Sequence, residues 1–139
     1  MATLTQDQPR AYGISEDLNE VPVIASHLIF EGCAVGDNGA GLARKLVALD
    51  PFVGFAKEQC DNSTGAASAR NVKVWERGKV VLNVTGVASA DDVGQTVYAA
   101  DDNAFTLTST GNTAIGKVAR WISGTQCVVY FEGVQVRSL

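Results

Sequence analysis

The chain has 139 residues, of which 46% are hydrophobic and 19% charged, so it can form one compact domain that buries roughly two thirds of its unfolded surface. This composition excludes a disordered tail and a disulfide-dependent mini-protein. Lys and Arg number 11 against 15 Asp and Glu, and a net charge of −4 argues against nucleic acid as a partner. With one His and three Cys, we expect no enzymatic activity, no cofactor and no metal site.

The N-terminal segment, residues 1–25, differs in character from the rest of the chain. It carries neither the basic start nor the apolar stretch of a secretory signal peptide, so we expect no export by that route. Residues 21–30, the longest apolar stretch, are too few to cross a bilayer, and no membrane partner is expected. Sparse apolar residues without alternation cannot repay the entropy of ordering, about 1–2 kcal/mol per residue. We therefore predict an extended N-terminal arm over residues 1–25 and a β-barrel domain over residues 26–139.

Beyond residue 32 the sequence alternates between short β-branched runs and turns rich in Gly, Asn and Asp. One helical turn is predicted at Ser89-Ala90-Asp91-Asp92, with Ser89 as its N-cap. This spacing predicts an all-β barrel or sandwich of short strands. The predicted strands cover residues 33–35, 42–48, 52–58, 72–75, 80–85, 96–99, 104–108, 115–122, 127–131 and 134–136.

The two halves of the chain echo each other when one is laid on the other, without a gap, so that Gly32 falls on Gly94. In this alignment Val35 falls on Val97. Further on, residues 72–76 can be laid on 128–132 if the first half carries about six extra residues in the small-residue tract 62–70. The echo reflects either an internal duplication or the turn and strand vocabulary that all β-proteins share.

Three sequence features that suggest chemistry are better explained by structure. The segment 111–118 matches part of a phosphate-binding loop, but Val118 stands where a hydroxyl would bind Mg²⁺, and the residues after it alternate like a strand. His27 and Cys33 have no surrounding motif that would make them a base and a nucleophile. The acidic clusters at 91–92 and 101–103 lack the spacing of a Ca²⁺ loop and are predicted to be solvated turns. Cys33, Cys60 and Cys127 have no paired spacing and are predicted to be reduced and buried.

The aromatic residues admit two interpretations. Most lie within alternating strands, which is typical of core side chains. The alternative is a glycan-binding β-sandwich module, in which Trp75, Tyr98 or Trp121 stacks on a sugar and residues 62–70 shape the site. Trp121 follows Arg120 near a turn and is also a candidate interface residue.

Several segments, taken in order, carry a family resemblance. They are Gly-Cys-Ala-Val-Gly-Asp at 32–37, Pro-Phe-Val-Gly-Phe-Ala at 51–56, Val-Lys-Val-Trp-Glu-Arg-Gly at 72–78, Gly-Gln-Thr-Val-Tyr-Ala at 94–99 with Asp101-Asp102-Asn103, and Ile-Gly-Lys-Val-Ala at 115–119. From about residue 20 to the end, this order resembles the capsid cement, or head decoration, proteins of tailed bacteriophages.

The resemblance implies a non-enzymatic virion protein on the outer capsid surface. Such a protein is a small β-barrel that forms a homotrimer and clamps the major capsid protein after the shell expands. An acidic body without catalytic groups fits the outside of a particle whose genome is inside. An arm can attach to a partner surface by lying in a groove or by adding a strand to a sheet edge. The candidate capsid-binding residues of the arm are Leu4, Pro9, Tyr12 and Ile14.

Overall fold

The computed structural model of the protein describes residue 6 and residues 17–137, and the structural statements below concern these residues. They form an all-β fold, as the sequence predicts, with one 3-10 turn at Ala90–Asp92. No helix among them is long and apolar enough to cross a membrane. The strands in chain order are β1 (Leu18–Pro22), β2 (His27–Ile29), β3 (Ala34–Asp37), β4 (Ala43–Lys45), β5 (Phe52–Ala56), β6 (Cys60–Asn62), β7 (Asn71–Trp75), β8 (Arg77–Thr85), β9 (Thr96–Ala99), β10 (Phe105–Thr106), β11 (Thr113–Ser123) and β12 (Gln126–Glu132).

The strands form two units with the same topology. The first unit is a five-stranded sheet in the order β1-β7-β5-β3-β4, and the second is a closed five-stranded barrel in the order β10-β8-β12-β11-β9. Read from equivalent strands, the order is β4-β3-β5-β7-β1 in the first unit and β10-β9-β11-β12-β8 in the second. Strands at the same place in the two orders also come in the same succession along the chain. The short pair β2-β6 belongs only to the first half of the chain.

The strand registers of the two units also agree residue by residue. Strands β3, β4 and β5 correspond to β9, β10 and β11 at the spacing that separates Gly32 from Gly94, as the sequence alignment predicts. Both units carry a β-bulge at the same place, between a Val–Gly pair and the next pair along. Those register pairs are Val35–Gly54 then Gly36–Phe52 in the first unit, and Val97–Gly116 then Tyr98–Ala114 in the second. The internal repeat therefore extends from strand order to the position of a bulge.

A parallel contact joins the first and last strands of each order. In the second unit, Val84 of β8 pairs with Phe105 of β10, and the barrel is closed there. In the first unit, the isolated parallel bridge between Val23 and Ala43 lies at the equivalent position.

The match between β7 and β12 corrects one detail of the predicted echo. Phe55 pairs with Trp75, and Lys117, the equivalent of Phe55 in the second unit, pairs with Tyr130. Trp75 therefore corresponds to Tyr130, so the first half carries seven extra residues rather than six. The predicted superposition of Val72 on Val128 was wrong by one residue, because a count of loop residues alone does not fix a register.

The same seven positions are buried in each unit, where they form its interior. In β7 and β12 they alternate along the strand, as residues on the inner face of a sheet do, whereas in β5 and β11 they lie three residues apart beside the bulge. The equivalent buried pairs are Val23 and Val84, Val35 and Val97, Ala43 and Phe105, Val53 and Ile115, Ala56 and Val118, Val72 and Cys127, and Val74 and Val129.

Four phenylalanines join the two units. Phe52 and Phe55 of β5 face Phe131 of β12, with ring centroids 6.2 and 4.9 Å from Phe131, both in edge-to-face geometry. Phe55 also lies 6.0 Å from Phe105 of the second unit. Because edge-to-face aromatic pairs stabilise beyond the area they bury, this contact fixes how the units pack.

The boundary predicted between arm and barrel needs correction. Strand β1 lies inside the segment 1–25, yet it pairs with β7 along its whole length, and Val21 and Val23 are buried. Proline is rare within strands, so Pro22 hid the strand pattern of β1 from sequence-based prediction. The backbone of Pro22 faces away from β7, where the absence of an N–H breaks no hydrogen bond, so proline is tolerated there.

The remaining differences from the sequence prediction involve short or polar segments. Each predicted strand before residue 132 has a counterpart with somewhat different ends, but residues 134–136 form a turn in which the Val136 N–H donates to Gly133 O at 3.1 Å. Strands β2 and β6 were not predicted, because three residues that include His27 or Asp61 show no alternation. The helical turn is confirmed: the Ser89 side chain accepts from the Asp91 N–H, and Asp92 completes a capping box.

The equivalent glycines Gly54 and Gly116 provide a test of the fold. A Cβ at Gly54 would overlap the Trp75 carbonyl oxygen, and a Cβ at Gly116 would overlap the Tyr130 carbonyl oxygen. We expect Gly54→Ala and Gly116→Ala each to lower the free energy of unfolding by more than about 2 kcal/mol in urea titrations. The control is Gly94→Ala, where no atom lies within 4 Å and only the positive φ of 93° opposes a side chain. It should cost about 1 kcal/mol, and a cost equal to that of Gly116→Ala would contradict this packing.

Candidate interaction surfaces

The arm residues proposed to bind a capsid, Leu4, Pro9, Tyr12 and Ile14, lie outside the described residues. They remain a prediction. The continuous described range begins at Asp17. The Asp17 carboxylate accepts a hydrogen bond from Arg77 Nη2 at 2.9 Å.

Trp121 lies near the end of the hairpin between β11 and β12, opposite Cys127. Its indole N–H donates to the Gly124 carbonyl oxygen at 3.0 Å, and its ring is half-buried against the core of the second barrel. The polar atom of Trp121 is therefore used within its own hairpin. The role of Trp121 at an interface stays a prediction.

The other two aromatic residues of the glycan hypothesis lie on different strands. Tyr98 is on β9, opposite Ala114 of β11. Trp75 is on β7, with the Lys57 ammonium 5.6 Å from the centre of its ring. A cavity of about 350 Å³ beside Trp75 is lined by Phe55, Val80 and Phe131, and neither Tyr98 nor Trp121 reaches it.

Two exposed large apolar residues lie in the loop between β4 and β5, which we call the 47–49 tip. Val47 is 51% exposed and Leu49 is 71% exposed. Leu49 has a φ of +77°, a conformation that costs a bulky residue about 1–2 kcal/mol. Non-glycine residues keep such a conformation only where their surroundings enforce it, and such sites are often functional.

Asp50 holds the 47–49 tip in place. Its buried carboxylate accepts from Arg44 Nε at 2.9 Å, from Arg44 Nη2 at 2.7 Å and from the Val47 N–H at 3.0 Å. The Asp50 carbonyl oxygen accepts from the Thr113 hydroxyl of the second unit at 2.9 Å. The tip is therefore anchored to both units, and its apolar side chains are presented on a rigid base.

The charge of Asp50 is stabilised in spite of its burial. Burial by itself raises the pKa of this carboxyl, but the Arg44 guanidinium and the Val47 N–H outweigh that effect, so the net pKa lies below its ordinary value. The same ion pair raises the pKa of Arg44.

His27 and Cys33 both have structural contacts. His27 Nε2 accepts from the Lys45 backbone N–H at 2.9 Å, so the neutral ring serves as an acceptor beside β4. Burial, and then the charges of Lys45 and Arg44, lower the pKa of His27. Cys33 donates to the Ala34 carbonyl oxygen at 3.2 Å, and burial, with the nearby Asp102 carboxylate, raises the pKa of its thiol to about 12. The thiol of Cys33 is therefore held in its un-ionised, weakly nucleophilic form.

The remaining sequence motifs also have structural roles. Residues 113–118 of the loop-like segment are the beginning of β11, as the alternation predicts. Asp92 accepts from the N–H groups of Ala88 and Ser89, and Asp101 accepts from the Asn103 N–H at 2.8 Å, so both acidic clusters shape turns. Cys60 and Cys127 are buried, and burial raises the pKa of each thiol.

In comparisons with known proteins, no family model matches the chain and no curated protein is detectably similar to it.

Sequence reasoning did not find the 47–49 tip. Residues 42–48 read as one continuous strand, whereas β4 ends at Lys45. The available signal was Asp50-Pro51, a dipeptide that favours the start of a turn. The bond between Asp50 and Arg44 joins side chains on either side of the loop and depends on the path of that loop, which no local pattern encodes.

Asp50 also makes stability depend on pH in a defined direction. Because its pKa is lower in the folded state, its contribution is complete above the unfolded pKa of about 3.8 and is lost as the pH falls through the folded value. We expect Asp50→Asn to cost about 1–3 kcal/mol at pH 7, measured in urea, and to flatten the loss of stability below pH 4.

The matched control is Asp91→Asn at an exposed turn residue, which should stay within about 0.5 kcal/mol of the unmodified protein at pH 7. An Asp50→Asn protein as stable at pH 7 as the control would show that the ion pair does not hold the tip.

Proposed function

We propose that this chain is a virion structural protein that decorates and stabilises the outer surface of a tailed-phage capsid. It binds the major capsid protein as a homotrimer and has no enzymatic activity. The observation that carries the proposal is the 47–49 tip, where the fold keeps Leu49 in a strained conformation and 71% exposed. Rigid apolar groups on a well-anchored loop suit protein–protein contact, because little entropy remains to be lost on binding.

Three further features support the proposal. The order of segments between residues 32 and 119 resembles that of the cement proteins. The two units of similar topology pack against each other through phenylalanines, which suits a clamp between neighbouring shell subunits. The groups with the greatest chemical reactivity, His27 and the three thiols, are engaged in hydrogen bonds or buried. In a trimer, three modest contacts to the shell act together, so that net attachment exceeds that of any single contact.

The glycan-binding alternative has no comparable support from the described residues. Trp75, Tyr98 and Trp121 lie on three strands, and the indole N–H of Trp121 already donates to Gly124. A sugar platform requires aromatic faces that meet at one site.

Deletion of residues 2–16 tests the contribution of the arm. The deletion stops before Asp17, so β1 and the cores of both units are retained. We expect the truncated protein to lose binding to expanded shells of its source phage, measured by co-sedimentation, because Leu4, Pro9, Tyr12 and Ile14 are removed. Its β-sheet circular dichroism and thermal midpoint should stay unchanged. Undiminished binding would refute the role of the arm.

In the same assay, Leu49→Gly separates binding from folding. Glycine adopts a positive φ without strain, so the free energy of unfolding should stay the same or rise by up to about 1 kcal/mol. Binding to shells should nevertheless weaken about tenfold, because the most exposed apolar side chain is gone. A variant that binds shells like the unmodified protein would exclude the tip from the contact.

A glycan array probed with the full-length protein tests the alternative function, glycan binding.

A further inference from the structure

Among the described residues, one edge of β8 has no strand beside it between residues 79 and 83. In an antiparallel ladder the backbone groups of successive residues point alternately towards the partner strand and away from it. The Val84 N–H donates to Thr125 O at 2.9 Å on the β12 side, and Thr85 O accepts from the Leu107 N–H at 3.1 Å on the opposite side. The backbone groups of Lys79, Val81 and Asn83 therefore face away from β12, on the same side as Thr85 O.

No described backbone group bonds to that edge between residues 79 and 83. Strand β10 pairs only with Val84 and Thr85. The chain that precedes β10 then diverges from β8, since Asp102 O accepts from the Ala34 N–H of the first unit at 2.9 Å. Lys79, Val81 and Asn83 are exposed, Val81 by 52%. An exposed strand edge of this kind is a template for pairing with another strand.

The equivalent strand of the first unit is protected against such pairing. The outward positions of β1 are Leu18, Glu20 and Pro22, and Pro22 has no N–H to donate. Val81 of β8 stands where β1 has the charged Glu20. Charge and proline are the usual means of blunting an edge. The open stretch of β8 has no proline, its middle residue Val81 is apolar, and its one charge, on Lys79, lies at one end.

A groove beside the open edge defines the chemistry of a partner. The cavity of about 350 Å³ adjoins residues 77–80 and is walled by the apolar side chains of Phe55, Trp75, Val80 and Phe131. Lys79 lies at the same place and makes no ion pair within the described residues. A strand laid along β8 would direct alternate side chains into the apolar groove and the others towards Lys79.

We infer that the open edge of β8 binds an extended segment of a partner protein by β-strand addition, and that this segment alternates apolar and acidic residues. Main-chain hydrogen bonds to Lys79, Val81 and Asn83 would supply affinity. The groove and Lys79 would supply specificity. This inference does not depend on the capsid role, and it is tested without shells.

The test uses the full-length protein and three capped ten-residue peptides. One alternates Val and Glu, one alternates Val and Lys, and one has the first composition arranged in two blocks. Binding is measured by fluorescence anisotropy and mapped by amide shifts in NMR. We expect the Val–Glu alternating peptide to bind at least ten times more tightly than the other two, and the amides of Lys79, Val81 and Asn83 to shift most.

Proline substitution provides a matched pair of variants. Val81→Pro removes an N–H on the open edge without removing a ladder bond to β12, and it should weaken binding at least tenfold. Glu20→Pro makes the same change at the equivalent position of β1 and should leave the affinity within twofold. Lys79→Glu leaves the backbone unchanged, so it covers the case in which Val81→Pro does not fold. It should reverse the preference from the Glu to the Lys peptide.

Three results would overturn the inference. One is equal affinity for the alternating and block peptides, and another is equal weakening by the two proline variants. The third is concentration-dependent protection of the Val81 amide in the absence of peptide, which would identify a second copy of the chain as the occupant.

Discussion

A sheet of five short strands can enclose a core only if it bends sharply, and in this protein the bend occurs at one repeated place. Gly54 and Gly116 each lie against the carbonyl oxygen of a neighbouring strand, where a Cβ would collide. In both units this glycine is next to the β-bulge that shifts the register by one residue. Bulges increase local twist and curvature, and glycine permits the close approach of backbones. The seven equivalent buried positions face inwards because the sheet bends at this point.

The surfaces of functional interest lie where the two units differ. The first unit has seven more residues between β5 and β7 than the second unit has between β11 and β12. The Lys45 N–H of the first unit donates to the His27 side chain, whereas the equivalent Leu107 N–H of the second unit donates to the Thr85 carbonyl oxygen. The contact between the phenylalanines leaves the 47–49 tip outside the core. The Asp50 carbonyl oxygen, at the base of the tip, accepts a hydrogen bond from Thr113 of the second unit. Strand β8 is longer than its counterpart β1, at nine residues against five, and extends beyond the strand that closes the barrel. A duplicated fold thus keeps two cores alike and places distinct surfaces on each unit.

Much of the fold was predictable from local pattern. Alternation and turn residues located nine strands, and Ser89 with its acidic neighbours located the helical turn. The alignment of Gly32 with Gly94 already contained the repeat, because insertions are confined to loops outside the aligned strands. Strand β1 was missed because Pro22 interrupts it at a position where proline does no harm. The 47–49 tip and the open edge of β8 could not be predicted, since both depend on which strands become neighbours.

Hydrogen exchange of the isolated protein, followed residue by residue in NMR, tests most directly the claim that two equivalent units build this chain. The N–H groups of Gly32 and Gly94 donate to Ala56 O and Val118 O, and those of Asn38 and Ala100 donate to Leu42 O and Ala104 O. Each amide of a pair therefore makes the same bond in its own unit. We expect both members of each pair to be protected from exchange. Protection in the second unit together with rapid exchange of Gly32 and Asn38 in the first would contradict the equivalence of the two units.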